Sequence, residues 1–128
     1  MKDLSFFTTD KGKTFIGLDV CKDATITCCD GNKKYEAVKV GSVDAAKEKH
    51  VPVVSVEGTK VKVAVGSVAH PMQDEHWIVW VCLKTEKGLQ VKELKPGEKP
   101  EVEFAITADD KVIEAYEFCN LHGVWVGK

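Results

Sequence analysis

The stretch Val51–Gly66, VPVVSVEGTKVKVAVG, constrains the fold more than any other part of the chain. Val61, Val63 and Val65 recur every second residue with Lys62 between them, a period that gives one apolar face only to an extended strand. Glu57–Lys60 supplies a tight turn around Gly58, so the stretch reads as a β-hairpin. Similar alternation recurs in YEAVKV (Tyr35–Val40), LQVKEL (Leu89–Leu94), EVEFAIT (Glu101–Thr107) and KVIEAYEF (Lys111–Phe118). HWIVWVCLKT (His76–Thr85) reads as a longer, largely buried strand. KPGEKP (Lys95–Pro100) and the ADD after Thr107 read as a loop and a turn. One stretch differs: SVDAAKEKH (Ser42–His50) has the composition of a short helical turn, ended by Pro52. Short strands at roughly regular spacing, punctuated by Gly, Pro and Asp, predict an all-β chain folded as an antiparallel sandwich. The signals weaken upstream of Gly31–Lys34, which sets a short N-terminal segment, residues 1–36, apart from a main domain over residues 37–128.

A chain of 128 residues with 44% hydrophobic and 30% charged residues is large and apolar enough to bury a core. Its formal net charge is −2 and it has no long basic block, so no nucleic-acid partner is expected. An anionic substrate would need a local attraction. No stretch is long and apolar enough for a membrane span, and MKDLSFFTTDKGKTFIG lacks the apolar region of a signal peptide. The expectation is a cytoplasmic protein with no membrane partner. In that compartment five cysteines serve as thiols or metal ligands rather than as disulfides.

The four histidines, His50, His70, His76 and His122, fall at or near the ends of predicted strands. Strand ends gather at the two rims of a sandwich, so these positions are able to meet on one rim. Taken singly, a histidine near a strand end is usually a surface or hydrogen-bonded residue. Cys119-x-x-His122, however, places a sulfur and an imidazole where a tight turn brings both to one ion. Thiolate and imidazole together suit zinc, copper or iron. Structural zinc closes a four-ligand tetrahedron, whereas these candidates number five and leave one position open on a six-coordinate ion.

Three stretches carry a resemblance. KEKHVPV (Lys47–Val53), GSVAHPMQDEHWIVWV (Gly66–Val81) and FCNLHGVW (Phe118–Trp125) closely resemble the superoxide reductases, also called neelaredoxins and desulfoferrodoxins. The likeness runs from about Val38 to the C-terminus. It implies an immunoglobulin-like antiparallel β-sandwich and one mononuclear non-haem iron, Fe2+/Fe3+. His50, His70, His76 and His122 would lie around the iron and Cys119 would be its axial ligand. It implies one-electron, inner-sphere reduction of superoxide to hydrogen peroxide. Lys49 would draw in the anion, and Glu48 would occupy the sixth position in the oxidised resting state. The N–H groups of Leu121 and His122, in the turn after Cys119, are placed to donate to its sulfur. Re-reduction by rubredoxin or a similar donor, and a homodimer or higher homo-oligomer, are further implications of the likeness. The alternatives are an iron-binding module for electron transfer or metal storage without turnover, and a structural sandwich with incidental histidines.

Many members of that family hold a second iron in an N-terminal domain through CxxC and a later CC. Cys28 and Cys29 match the later pair, but FFTTDKG stands where the first pair would be, and Cys21 does not restore the spacing. The expectation is a one-iron protein whose residues 1–36 are a vestigial desulforedoxin-like segment. Binding of zinc or iron by Cys21, Cys28, Cys29 and an outside ligand is the competing possibility. Cys82 reads as a core residue. Trp80 reads as packing between sheets, while Trp77 and Trp125 flank ligand candidates and either wall the iron from water or simply fill the core.

Overall fold

The computed structural model describes residues 4–8, 13–18, 24–27 and 34–128. The chain divides into two compact units, Met1–Lys39 and Val40–Lys128. In the first, β1 (Leu4–Thr8) pairs antiparallel with β2 (Thr14–Leu18), and β3 (Thr25–Thr27) with β4 (Lys34–Glu36). Phe6 and Phe7 are buried in β1, and the Val38 N–H donates to the Phe6 carbonyl at 2.6 Å. Of the alternating run Tyr35–Val40, the ladder takes only its first two residues, with a single bridge from Ala37 to Phe7 beyond them. Cys21, Cys28 and Cys29 lie outside the described residues.

The second unit is an antiparallel β-sandwich. It opens on α1 (Lys47–His50), one helical turn rather than the full Ser42–His50 stretch. Ala46 at its start offers no side-chain cap, and Val51 is extended, as a residue before proline prefers. β5 (Pro52–Glu57) and β6 (Lys60–Val65) form the hairpin, with Gly58 at φ +62° in the turn, and β9 (Glu101–Ala105) pairs with β6 to complete a three-stranded sheet, β5-β6-β9. β7 (Ile78–Thr85), β8 (Leu89–Glu93), β10 (Val112–Cys119) and β11 (Gly123–Gly127) form the other sheet, in the order β11-β10-β7-β8.

The two sheets share one core. Val61, Val63 and Val65 of β6 and Val102 and Phe104 of β9 meet Ile78, Val81 and Leu83 of β7 and Ala115 and Cys119 of β10. Lys60 and Lys62 stay exposed on the opposite face of β6, as the period of two requires. Along β7 the inward residues change parity, because the ladder pairs Phe118 with Trp80 but Cys119 with Ile78. Val79 is thus the extra residue of a β-bulge, and the bulge sits beside Cys119 at the rim of the core. β11 had no separate sequence signal, since its five residues, GVWVG, follow Cys119 after a short turn.

Candidate metal centre

Each of the five side chains singled out from the sequence is delivered by a different local device. His50 is the last residue of α1, and its Nδ1–H donates to the Ala46 carbonyl four residues back at 2.7 Å. His70 lies in the β6–β7 connection, where its Nδ1–H donates to the Pro71 carbonyl at 2.7 Å. His76 sits two residues before β7 in a turn closed by reciprocal backbone hydrogen bonds with Gln73. Cys119 ends β10, fully buried, and His122 follows in the turn to β11. α1 is tied to the β6–β7 connection by the Glu48 carbonyl, which accepts from the Val68 N–H at 2.9 Å and the Ser67 hydroxyl at 3.3 Å.

These devices bring the five donor atoms within 4.8 Å of one another. The imidazoles form a ring, with adjacent centroids 4.6 to 5.1 Å apart and His50 across from His76 at 6.5 Å. His50 Nε2 lies 3.3 Å from His70 Nε2 and 3.1 Å from His122 Nδ1, and Cys119 Sγ is 3.7 Å from His122 Nδ1. Because His50 and His70 spend their Nδ1 protons on carbonyls, both of their Nε2 atoms carry lone pairs, which face each other at 3.3 Å. Two facing lone pairs repel unless a cation lies between them. His76 Nε2 is likewise buried without a hydrogen-bond partner among the described residues. A metal–imidazole bond of about 2.1 Å places neighbouring nitrogens of a square plane about 3.0 Å apart, near the observed spacing. The donor set therefore fits a metal ion, and five donors including a thiolate suit a single iron.

The electrostatics match. Burial lowers the proton affinity of His50, His70 and His76, and for His70 the pKa falls to about 4. Repulsion among the rings adds to the effect. The metal-free site therefore keeps these three imidazoles neutral at pH 7, the form that binds metal. Burial pushes the Cys119 thiol up to about 11, opposed by the Leu121 and His122 N–H groups, which donate to its sulfur. A bound cation reverses that balance by displacing the proton. Glu48 and Lys49 are both exposed on α1. Lys49 is close enough to the ring that its charge lowers both His50 and His76.

Residues 42–128 match the family model described as desulfoferrodoxin. The chain belongs to the desulfoferrodoxin family. It is 50% identical over 100 residues to a desulfoferrodoxin from Nitratidesulfovibrio vulgaris, covering 78% of this chain and 76% of the relative. A desulfoferrodoxin from Clostridium acetobutylicum is 35% identical over 123 residues, 96% of this chain and 94% of the relative. Among solved structures, the superoxide reductase from Treponema pallidum is 60% identical with a TM-score of 0.89, covering 99% of this chain and 100% of that one. The chain thus resembles a superoxide reductase in strand framework and in sequence over almost its whole length.

The sequence left the role of Trp125 open and that of Asn120 unread. Trp125 stacks on the His50 ring with centroids 5.0 Å apart, and its Nε1–H donates to the His122 carbonyl at 3.0 Å. It braces two candidate ligands at once, a role that its place after His122 left undecided between a wall and core filling. Asn120 had no reading at all, although it stands between Cys119 and His122.

Proposed function

We propose that this chain is a superoxide reductase, converting superoxide to hydrogen peroxide with one electron and two protons at a single iron. We assign the ligands as His50, His70, His76, Cys119 and His122. The observation that carries this reading is the convergence of five donor atoms within 4.8 Å of one another, two of which, His50 Nε2 and His70 Nε2, face each other with their lone pairs. Iron held there would supply a ferrous–ferric couple able to pass one electron to a small anion.

The protein's own residues do the rest. Lys49 offers a local positive potential beside the ring, which a chain of net charge −2 does not provide globally. Its ammonium donates hydrogen bonds that hold the incoming anion and order the water that delivers protons. Glu48, its neighbour on α1, would be the carboxylate that covers the metal at rest. The Leu121 and His122 N–H groups draw charge from the Cys119 sulfur and so restrain how strongly it donates. Trp125 covers one face of the His50 ring.

An external donor of the rubredoxin kind returns the electron, and the working form is a homodimer or higher homo-oligomer in the cytoplasm. No helix among the described residues is long and apolar enough to cross a membrane. We read residues 1–36 as a vestigial desulforedoxin-like segment and residues 37–128 as the iron-binding domain.

The test is iron analysis of purified protein joined to a pulsed-superoxide assay. One iron per chain and stoichiometric peroxide without evolved oxygen are expected. Iron uptake without superoxide consumption would sink the reading.

A further inference from the structure

His50 and His70 are each held from behind by a ring hydrogen bond to a carbonyl, and Cys119 by two backbone N–H groups. No such ring hydrogen bond is found for His76 among the described residues, and its turn closes on itself through Gln73. What aligns His76 with the other donors must therefore act on the backbone beside it.

Asn120 does so on both sides. Its Oδ1 accepts from the Trp77 N–H at 3.0 Å, and its Nδ2–H donates to the Glu75 carbonyl at 3.0 Å. Its own N–H donates to the Trp77 carbonyl at 3.2 Å. The three bonds bracket His76 and fasten its turn to the segment that carries Cys119 and His122. They also explain why β7 starts at Ile78, since the Trp77 N–H is taken by a side chain rather than by a neighbouring strand. A primary amide is suited to this task, because one planar group both accepts and donates.

We propose that Asn120 is a positioning residue that sets the place of His76 relative to Cys119 and His122. The inference rests on the metal reading above and deepens it.

The experiment is a double-mutant cycle on metal affinity, using Co(II) titrated optically into metal-free full-length protein. Asn120→Ala should weaken Co(II) binding by about 10- to 100-fold, the usual effect of removing an outer partner of a ligand. Its d–d spectrum should move toward that of His76→Ala. In the His76→Ala background, Asn120→Ala should change affinity by no more than about twofold, because the ligand it positions is gone. Losses that multiply in the double variant would overturn the proposal, since Asn120 would then act through the rest of the fold. If Asn120→Ala does not fold, Asn120→Asp replaces it. It keeps the acceptor for Trp77, faces the Glu75 carbonyl with an oxygen, and must show the same coupling. Metal-free amide exchange separates this idea from the functional one. The Trp77 N–H should exchange faster in Asn120→Ala, which removes its acceptor, and an unchanged rate there would overturn the clamp even in a protein that binds iron. A parent protein that took up neither Co(II) nor Fe(II) would overturn the metal reading, and with it the role assigned to His76.

Discussion

Replacing Lys49 by alanine removes a positive charge felt at both His50 and His76 without removing a donor atom. The second-order rate with superoxide should fall by about tenfold or more and lose most of its dependence on salt, while the colour of the oxidised protein stays. Stopped-flow traces at two ionic strengths check this. Cys119→Ser should do the reverse to the spectrum, abolishing the thiolate-to-iron band at once. Glu117 poses a different question. It is fully buried in β10, two residues before Cys119, and neither carboxyl oxygen has a partner among the described residues. Burial raises its pKa well above the carboxylate range, so the folded chain keeps this proton to higher pH than the unfolded chain. Its contribution is full at acid pH, below the ordinary carboxylate range, and is lost as pH rises through the raised folded-state pKa. Glu117→Gln should therefore stabilise the metal-free protein at pH 7, and the gain should shrink toward pH 4 in urea melts. Neither Asn120 nor Glu117 was legible as special in the sequence, because a hydrogen-bond clamp and a buried orphan carboxyl are both defined by neighbours distant along the chain.

At the scale of elements, the glycines separate two kinds of constraint. Gly58 needs its positive φ, but a Cβ there would meet nothing within 4 Å. Gly58→Ala should cost about 1 kcal/mol, measured by denaturant, and leave metal affinity unchanged. A Cβ on Gly66 would lie 2.5 Å from the Glu48 carbonyl oxygen, in the backbone of α1. Gly66→Ala should push α1 away, cost about 1–3 kcal/mol and weaken metal binding, because α1 carries Glu48, Lys49 and His50 together. The hairpin containing Gly58 was readable from its alternation and turn. The contact at Gly66 was not, since nothing in GSVAH says which backbone lies against it. The same holds for α1, whose single turn is set by its docking rather than by helix propensity.

For the whole molecule, the site links metal, protons and stability. His50, His70 and His76 have folded-state pKa values below the ordinary 6.5, so the unfolded chain binds more protons as pH falls. Stability of the metal-free protein should thus decline from about pH 6.5 toward about pH 4, where His70 titrates. Thermal melts in the Glu117→Gln background isolate this from the opposite trend of the carboxyl. Adding Fe(II) at pH 7 should raise Tm, and a chelator should return it, because the ion binds the folded arrangement in preference to the unfolded chain.

Periodicity of two, turn residues and the spacing of Cys119 and His122 settled the all-β class and named the five candidate donors, since each of these is local along the chain. Their meeting at one point was decided by tertiary structure. His50 and Cys119 are 69 residues apart in number yet lie within a few ångströms because two sheets close on one core and a bulge at Val79 turns the rim. Facing lone pairs, a braced tautomer and a clamp across two turns exist only when that closure brings remote backbone and side chains together, and no pattern within a single strand encodes them.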